Sequence, residues 1–208
     1  MSIGRFIALE GGEGAGKSTQ AKLLVEALEA RGLQVELTRE PGGTVGAEAI
    51  RELLLTAEGE GWGARAEALL FAAARSDHVE RLIKPAIKTG TWVICDRFVD
   101  SSRAYQGGAG GLGDADIRDL HRIGSEGLLP DLTLLIEVPA EQVAKRLAAR
   151  DAGVSDRIGG RDAAYHAKVA ASFSRFADEE PQRFARIDGT GIPEAIHQRV
   201  MQVVDRFA

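Results

Sequence analysis

The chain of 208 residues contains no asparagine, and this alone excludes the Asn-Lys-x-Asp element with which regulatory GTPases read guanine. It has a single cysteine, Cys95, so no disulfide can form within the chain and a reducing compartment is expected. Cys95 lies in an apolar run and reads as a packed strand residue rather than a reactive thiol. No apolar run approaches the roughly 18 residues of a membrane span, and Ile3 to Leu9 is too short for a secretory leader. A cytoplasmic protein with no membrane partner is expected. Positive charge is not in excess either. The net charge is −5 and the pI about 5.5, which argues against a surface that coats nucleic acid, because backbone binding depends on clustered cations. Any phosphate must therefore be held by local sites.

Strand and helix signals alternate along the chain. Ile3 to Glu10, Val35 to Leu37, Thr91 to Cys95, Leu132 to Val138 and Ala185 to Ile187 read as strands. Ala21, Leu24, Val25 and Leu28 recur at helical spacing, and Gly32 closes that helix. A long helix is expected over Ala64 to Ile87, with Leu69, Leu70, Ala73, Val79, Leu82 and Ile83 as its apolar face and Pro85 at its end or a kink. A last amphipathic helix starts at Pro193 and carries Ile196, Val200, Val203 and Phe207 inward. The alternation implies a parallel sheet covered on both faces, in one domain spanning 1–208. Two segments lack a core pattern, Gln106 to Gly113 and Asp151 to Asp162, and both are expected to be mobile and exposed.

Between the first strand and first helix stands Gly11-Gly12-Glu13-Gly14-Ala15-Gly16-Lys17-Ser18, which satisfies G-x-x-x-x-G-K-[ST] in the context that motif requires. Glycines let backbone N–H groups turn inward around phosphate, Lys17 neutralises the β and γ phosphates, and Ser18 is placed to ligate magnesium. The loop selects a nucleoside triphosphate and says nothing of an acceptor. Strand three ends in Cys95-Asp96-Arg97 rather than paired acids. That suits a kinase, with Asp96 near the magnesium shell and Arg97 holding a second phosphate. Arg39 and Arg97 both end strands, where the ligand crevice of such sheets opens, while Arg75 follows Phe71 by one helical turn. Phosphoryl transfer asks for such cations, since the protein mainly positions reactants and neutralises spreading charge.

These residues, taken with others in order, resemble the thymidylate kinase family in its bacterial type. The likeness runs from Phe6 to the last helix. It rests on Glu10 through Thr19, Thr38 through Thr44, Phe71 through Arg75, Asp96-Arg97-Phe98, Asp100 through Gly107, Pro130 through Thr133, and Asp156-Arg157-Ile158. The resemblance implies the α/β P-loop nucleoside monophosphate kinase fold, a five-stranded parallel sheet flanked by helices on both faces, with a mobile lid at about 150–162. It implies ATP-dependent phosphorylation of dTMP to dTDP for dTTP synthesis, by in-line transfer from Mg-ATP, in a homodimer whose interface could include the helix from Ala64. The ATP site would comprise Gly11, Gly12, Glu13, Gly14, Ala15, Gly16, Lys17, Ser18 and Thr19, with Ser18 and Asp96 serving Mg2+.

On the acceptor side the resemblance implies that Phe71 stacks on thymine, Arg75 donates to O4, and Gln106 completes the bonding at N3. Glu13 would meet the 3′-hydroxyl, and Tyr105 would fill the space of a 2′-hydroxyl. Arg39 and Arg97 would bind the 5′-phosphate, with Glu40, Arg51 and Ser102 around them. Without the family, Phe71 reads as a core aromatic, Arg51 as a surface ion pair and Glu40 as a turn residue. Lys17, Asp96, Arg97 and Arg157 form the expected catalytic set. Gly14 stands where another branch of the family carries an arginine, so the extra cation would come from the lid, from Arg150, Arg157 or Arg161, with Arg157 first. Gly159 departs from the glutamate of many relatives. Two other readings stay open on sequence alone, a kinase for another nucleotide or metabolite, and a regulatory ATPase indifferent to any acceptor.

Overall fold

The computed structural model describes residues 4–56, 61–151 and 159–207, the side chains of 147–151 excepted. Five strands form one all-parallel sheet: β1 Phe6–Glu10, β2 Val35–Arg39, β3 Trp92–Asp96, β4 Leu132–Glu137 and β5 Phe184–Asp188, in the order β2-β3-β1-β4-β5. All five expected strands are present, and four of them gain residues at the carboxyl end or shed them at the amino end. Around the sheet lie α1 Lys17–Glu29, α2 Val45–Thr56, α3 Ala64–His78, α4 Lys84–Lys88, α5 Val99–Ser102, α6 Asp114–Ser125, α7 Ala140–Asp151, α8 Ala163–Glu179 and α9 Pro193–Phe207.

Successive side chains of a strand face opposite ways, and β1 divides accordingly. Ile7 and Leu9 pack with Leu24 and Leu28 of α1 and Val200 and Val204 of α9. Phe6 and Ala8 face the other way, onto Val79, Ile83, Phe98 and Val99. A third apolar group joins Leu135 to Tyr105 and to Val169, Phe173 and Phe176 of α8. Both faces of β1, β3 and β4 are thus covered, which is why these strands read as apolar runs rather than alternations. Cys95 is buried in the second of these groups, its Sγ 2.9 Å from the carbonyl of Arg97, and burial pushes its thiol well up, so it is the packed residue expected.

The structure corrects three expectations. Of the two readings of Pro85, an end or a kink, the end does not hold: the helix continues through a π-helical turn over Val79–Ile83 into α4, with Pro85 in its first turn. The buried face of α3 is Glu67, Ala68, Phe71, Ala74, Arg75 and His78, whereas Leu69 is 56% exposed and Ala73 faces solvent. Polar side chains face inward here because they line a site. The same correction of a buried face extends to α9, where the inward position after Val200 is Val204, with Val203 half-buried.

The third correction concerns Gln106 to Gly113. Its first two residues are not exposed: a π-helical turn over Arg103–Ala109 buries Arg103, Ala104, Tyr105, Gln106 and Gly107. The glycines are there for close approach. A Cβ on Gly108 would come 2.2 Å from Ser172 Oγ of α8, and one on Gly107 would sit 3.2 Å from Ile117 of α6. Of Asp151 to Asp162, positions 152–158 lie outside the described residues.

Candidate active site

Register brings the carboxyl ends of the strands together, with Leu9 opposite Asp96 and Asp96 opposite Arg39. The turn after β1 is the glycine loop, whose left-handed Gly14 and Gly16, at φ 67° and 95°, lead into α1. Lys17 is buried and folds back on the loop, its Nζ donating to the carbonyls of Gly11 at 3.1 Å and Gly12 at 2.7 Å. Burial and the nearby Arg97 lower its ammonium to about 8, against the pull of Asp96, Glu13 and Glu10. Ser18 Oγ donates to Asp96 Oδ2, while Asp96 Oδ1 is buried with no hydrogen-bond partner among the described residues. A hydroxyl beside a carboxylate with an unsatisfied oxygen is a hard-donor pair that fits magnesium, which takes one or two protein oxygens and completes its shell with phosphates and water.

Arg97 follows at φ 71°, a left-handed conformation uncommon away from glycine, held as its N–H donates to Leu9 O at 3.0 Å. That backbone turn aims its guanidinium back at the loop. Nη2 donates to Glu13 at 2.5 Å, Nη1 to Gly11 O and Ser101 Oγ, each at 3.1 Å, and the cation lies 5.2 Å from the Tyr105 ring centre. Burial opposes this charge, but Tyr105, Glu13, Asp96 and Glu10 together hold it firmly protonated. Burial raises Tyr105 to about 12, and its hydroxyl lies 3.4 Å from Glu13.

Glu10, the last residue of β1, was given no role by sequence reasoning. It is fully buried and accepts from Phe98 N at 2.8 Å, Ser101 N at 3.0 Å and Ser101 Oγ at 2.6 Å, so it caps α5 and fixes the serine on which Arg97 leans. Its signal was an acid closing an apolar strand immediately before the loop. Arg146 of α7 was also missed. Its Nη1 lies 3.3 Å from Ala15 O and Nη2 2.8 Å from Gly189 O, which sets a cation against the loop.

Arg75 and Phe71 project from α3 beside the loop. Arg75 is 3% exposed, with Nε on Glu40 at 2.7 Å and Nη2 on Ser102 Oγ at 2.7 Å. Glu40 sits at the bend before Pro41 but is buried, accepts also from His78 Nδ1 at 3.1 Å, and although burial works against it Arg75 and His78 hold its carboxyl low. His78 Nε2 meets Thr38 Oγ1 at 2.7 Å, which ties α3 to β2. Gly43 packs against this pair so closely that a Cβ there would lie 2.4 Å from Thr38 Oγ1. Arg51 donates to Pro41 O at 2.7 Å, and Arg39, more than half exposed, pairs with Glu48 at 3.2 Å. Gln106 Nε2 donates to Glu67 at 2.9 Å.

One cavity of about 590 Å³ joins these groups. Its wall includes Glu13, Gly14, Gly16, Lys17, Ser18 and Thr19 of the loop, Phe71, Arg75, Ser102, Tyr105 and Gln106 from α3 to the second π-helical turn, and Arg39, Glu40, Arg51, Asp96 and Arg97. Gly11, Gly12 and Ala15 stand behind this wall in the same loop. The remaining candidates are the lid cations. Arg157 lies outside the described residues, as does the side chain of Arg150. Arg161 pairs with Glu67 at 2.7 Å, beside Gln106.

The thymidylate kinase family model matches residues 9–200. Similar curated proteins include a thymidylate kinase of Rhizorhabdus wittichii, 59% identical over 97% of both chains, and one of a Bradyrhizobium species, 48% identical over 97% of this chain and 89% of the relative. A crystal structure of thymidylate kinase from Ehrlichia chaffeensis superposes with a TM-score of 0.78 at 32% identity, covering 97% of this chain and 99% of that one.

Proposed function

This chain belongs to the thymidylate kinase family, has its P-loop kinase fold and phosphorylates dTMP to dTDP with ATP; on that premise we propose how its own residues divide the work. ATP lies with its phosphates in the loop Gly11 to Thr19. Lys17, held here by the carbonyls of Gly11 and Gly12, turns to the β and γ phosphates. Ser18 and Asp96 would hold Mg2+, which when bound would supply charge neutralisation on the phosphates. Arg146, beside the loop, adds a cation on the donor side.

The dTMP base enters between Phe71 and the pair Arg75 and Gln106. Arg75 is held rigid by Glu40 and Ser102 and reads O4, and Gln106 reads N3. Glu13 takes the 3′-hydroxyl and Tyr105 occupies the 2′ side, which favours deoxyribose. Arg39, Arg51 and Arg97 surround the 5′-phosphate. A phosphate oxygen of dTMP attacks the γ-phosphorus as the bond to the ADP leaving oxygen breaks, with no covalent enzyme intermediate. Arg157 of the lid supplies charge in the transition state. The supporting observation is the one cavity lined both by the phosphate loop and by Phe71, Arg75 and Gln106, with the strand-end arginines Arg39 and Arg97 in the same wall.

The homodimer is part of this proposal. Leu53 of α2, Leu69 of α3 and Ile123 of α6 are all more than half exposed, on helices packed side by side. A cytoplasmic setting accords with the one buried free thiol, and among the described residues no helix is long and apolar enough to cross a membrane. The test of the loop assignment is Lys17→Ala. We expect dTMP-dependent ADP release to fall by about a hundredfold or more, as for loss of other groups that stabilise transition-state charge. Near-normal turnover refutes the assignment.

A further inference from the structure

Three side chains of α3 follow one another at helical turns, Glu67, Phe71 and Arg75. The last two line the cavity and the first does not, although Glu67 is just as buried, at 6% exposure. Its carboxylate has two neighbours. Oε2 accepts from Arg161 Nη2 at 2.7 Å, and Oε1 accepts from the amide nitrogen of Gln106 at 2.9 Å. Arg161 is steadied in turn by the Tyr165 ring, 4.5 Å from its guanidinium carbon, and the Tyr165 hydroxyl donates to the carbonyl of Tyr105 at 2.8 Å.

We infer that Glu67 is a positioning residue that fixes the side-chain amide of Gln106 in the one orientation that selects a base bearing a hydrogen at N3. An amide can present either its oxygen or its NH2 to a partner, so by itself Gln106 would suit both thymine and cytosine. A carboxylate salt-bridged to an arginine only accepts. Facing it, the amide must turn its NH2 inward, because the flipped form would set two oxygen lone pairs against each other where little water reaches. Oε1 is then the amide atom turned away from Glu67, and it is an acceptor, while Nε2 keeps one further N–H on the Glu67 side. Thymine carries N3–H and is satisfied, whereas cytosine has a bare lone pair at N3 and meets a second acceptor. The discrimination set by Arg75 at position 4 is thereby doubled at position 3, by a residue that never touches the base.

This inference rests on the dTMP reading of the site. Its experiment compares kcat/KM for dTMP and dCMP in the parent and in Glu67→Gln, with the KM for ATP as the internal control. The glutamine side chain in Glu67→Gln is of equal size and can donate as well as accept, so Gln106 becomes free to flip. The preference for dTMP over dCMP should fall by about tenfold, the scale of one buried polar group losing its partner, while the ATP KM holds. Glu67→Asp keeps an acceptor-only group and should retain more of the preference. An unchanged preference in a folded Glu67→Gln overturns the role of Glu67 and leaves dTMP kinase activity standing; a parent with no dTMP-dependent turnover overturns both. Should Glu67→Gln fail to fold, the parent decides by NMR. A Gln106 side-chain N–H that stays protected from exchange when dTMP binds supports the fixed orientation, and its deprotection on binding contradicts it.

Discussion

Glu10 has to bury a carboxyl beneath the loop without disturbing Arg97. Burial and repulsion from Asp100 lift it from 4.5 to about 7, against its bonds to Ser101 and Phe98 and the attraction of Arg97. A carboxyl raised in the folded chain keeps its proton where the unfolded chain has lost it. Stability from this group is therefore complete below about pH 4.5, declines as pH rises, and is gone above pH 7, where the buried charge costs roughly 3 kcal/mol. Glu10→Gln removes the titration and keeps the shape. Thermal melts at pH 5 and pH 8 should show the variant gaining on the parent at the higher pH, and a pH-independent difference would contradict this. Glu10 and Glu67 escaped sequence reasoning for one physical reason. Their partners lie 91 and 39 residues away, a distance that no local pattern encodes. Lys17, Ser18, Asp96 and Arg97 were legible because loop and strand end each bring their chemistry in contiguous residues.

At the scale of elements, α3 has two working faces, and apolar periodicity mistook one for the other. The face toward the protein carries Glu67, Phe71, Arg75 and His78, and the apolar Leu69 and Ala73 point away. Leu69 stands 56% exposed, and under the proposed homodimer its burial lies in a second chain. Sedimentation should find a dimer at micromolar concentration, and Leu69→Glu should shift it to monomers by placing a charge in an apolar contact; a dimer indifferent to that change puts the interface elsewhere. Glycine misled in a similar way. In Gln106 to Gly113 it was taken for a loop signal, yet Gly107 and Gly108 serve close packing against α6 and α8, and composition does not distinguish the two uses.

For the whole molecule, the parallel sheet and its two covered faces followed from strand and helix alternation, and the strand order then placed Glu10, Arg39 and Asp96 at one edge. Asp100, buried between Arg103 at 2.7 Å and Arg183 at 2.6 Å, ties α5 to the start of β5 behind that edge, so the acceptor wall is backed by a paired ionic group rather than by apolar packing alone. The phosphate loop and the pocket of Phe71, Arg75 and Gln106 share one cavity because these strands end together. The central claim is that the acceptor is thymidylate, and the direct measurement is ADP release from Mg-ATP by the purified protein with dTMP, dUMP, TMP, dCMP, dGMP or dAMP, or with no acceptor. Strong turnover that requires dTMP, with little from dCMP, is the predicted result. Turnover indifferent to the acceptor would contradict the account of Phe71, Arg75 and Gln106 and leave only the phosphate loop in place.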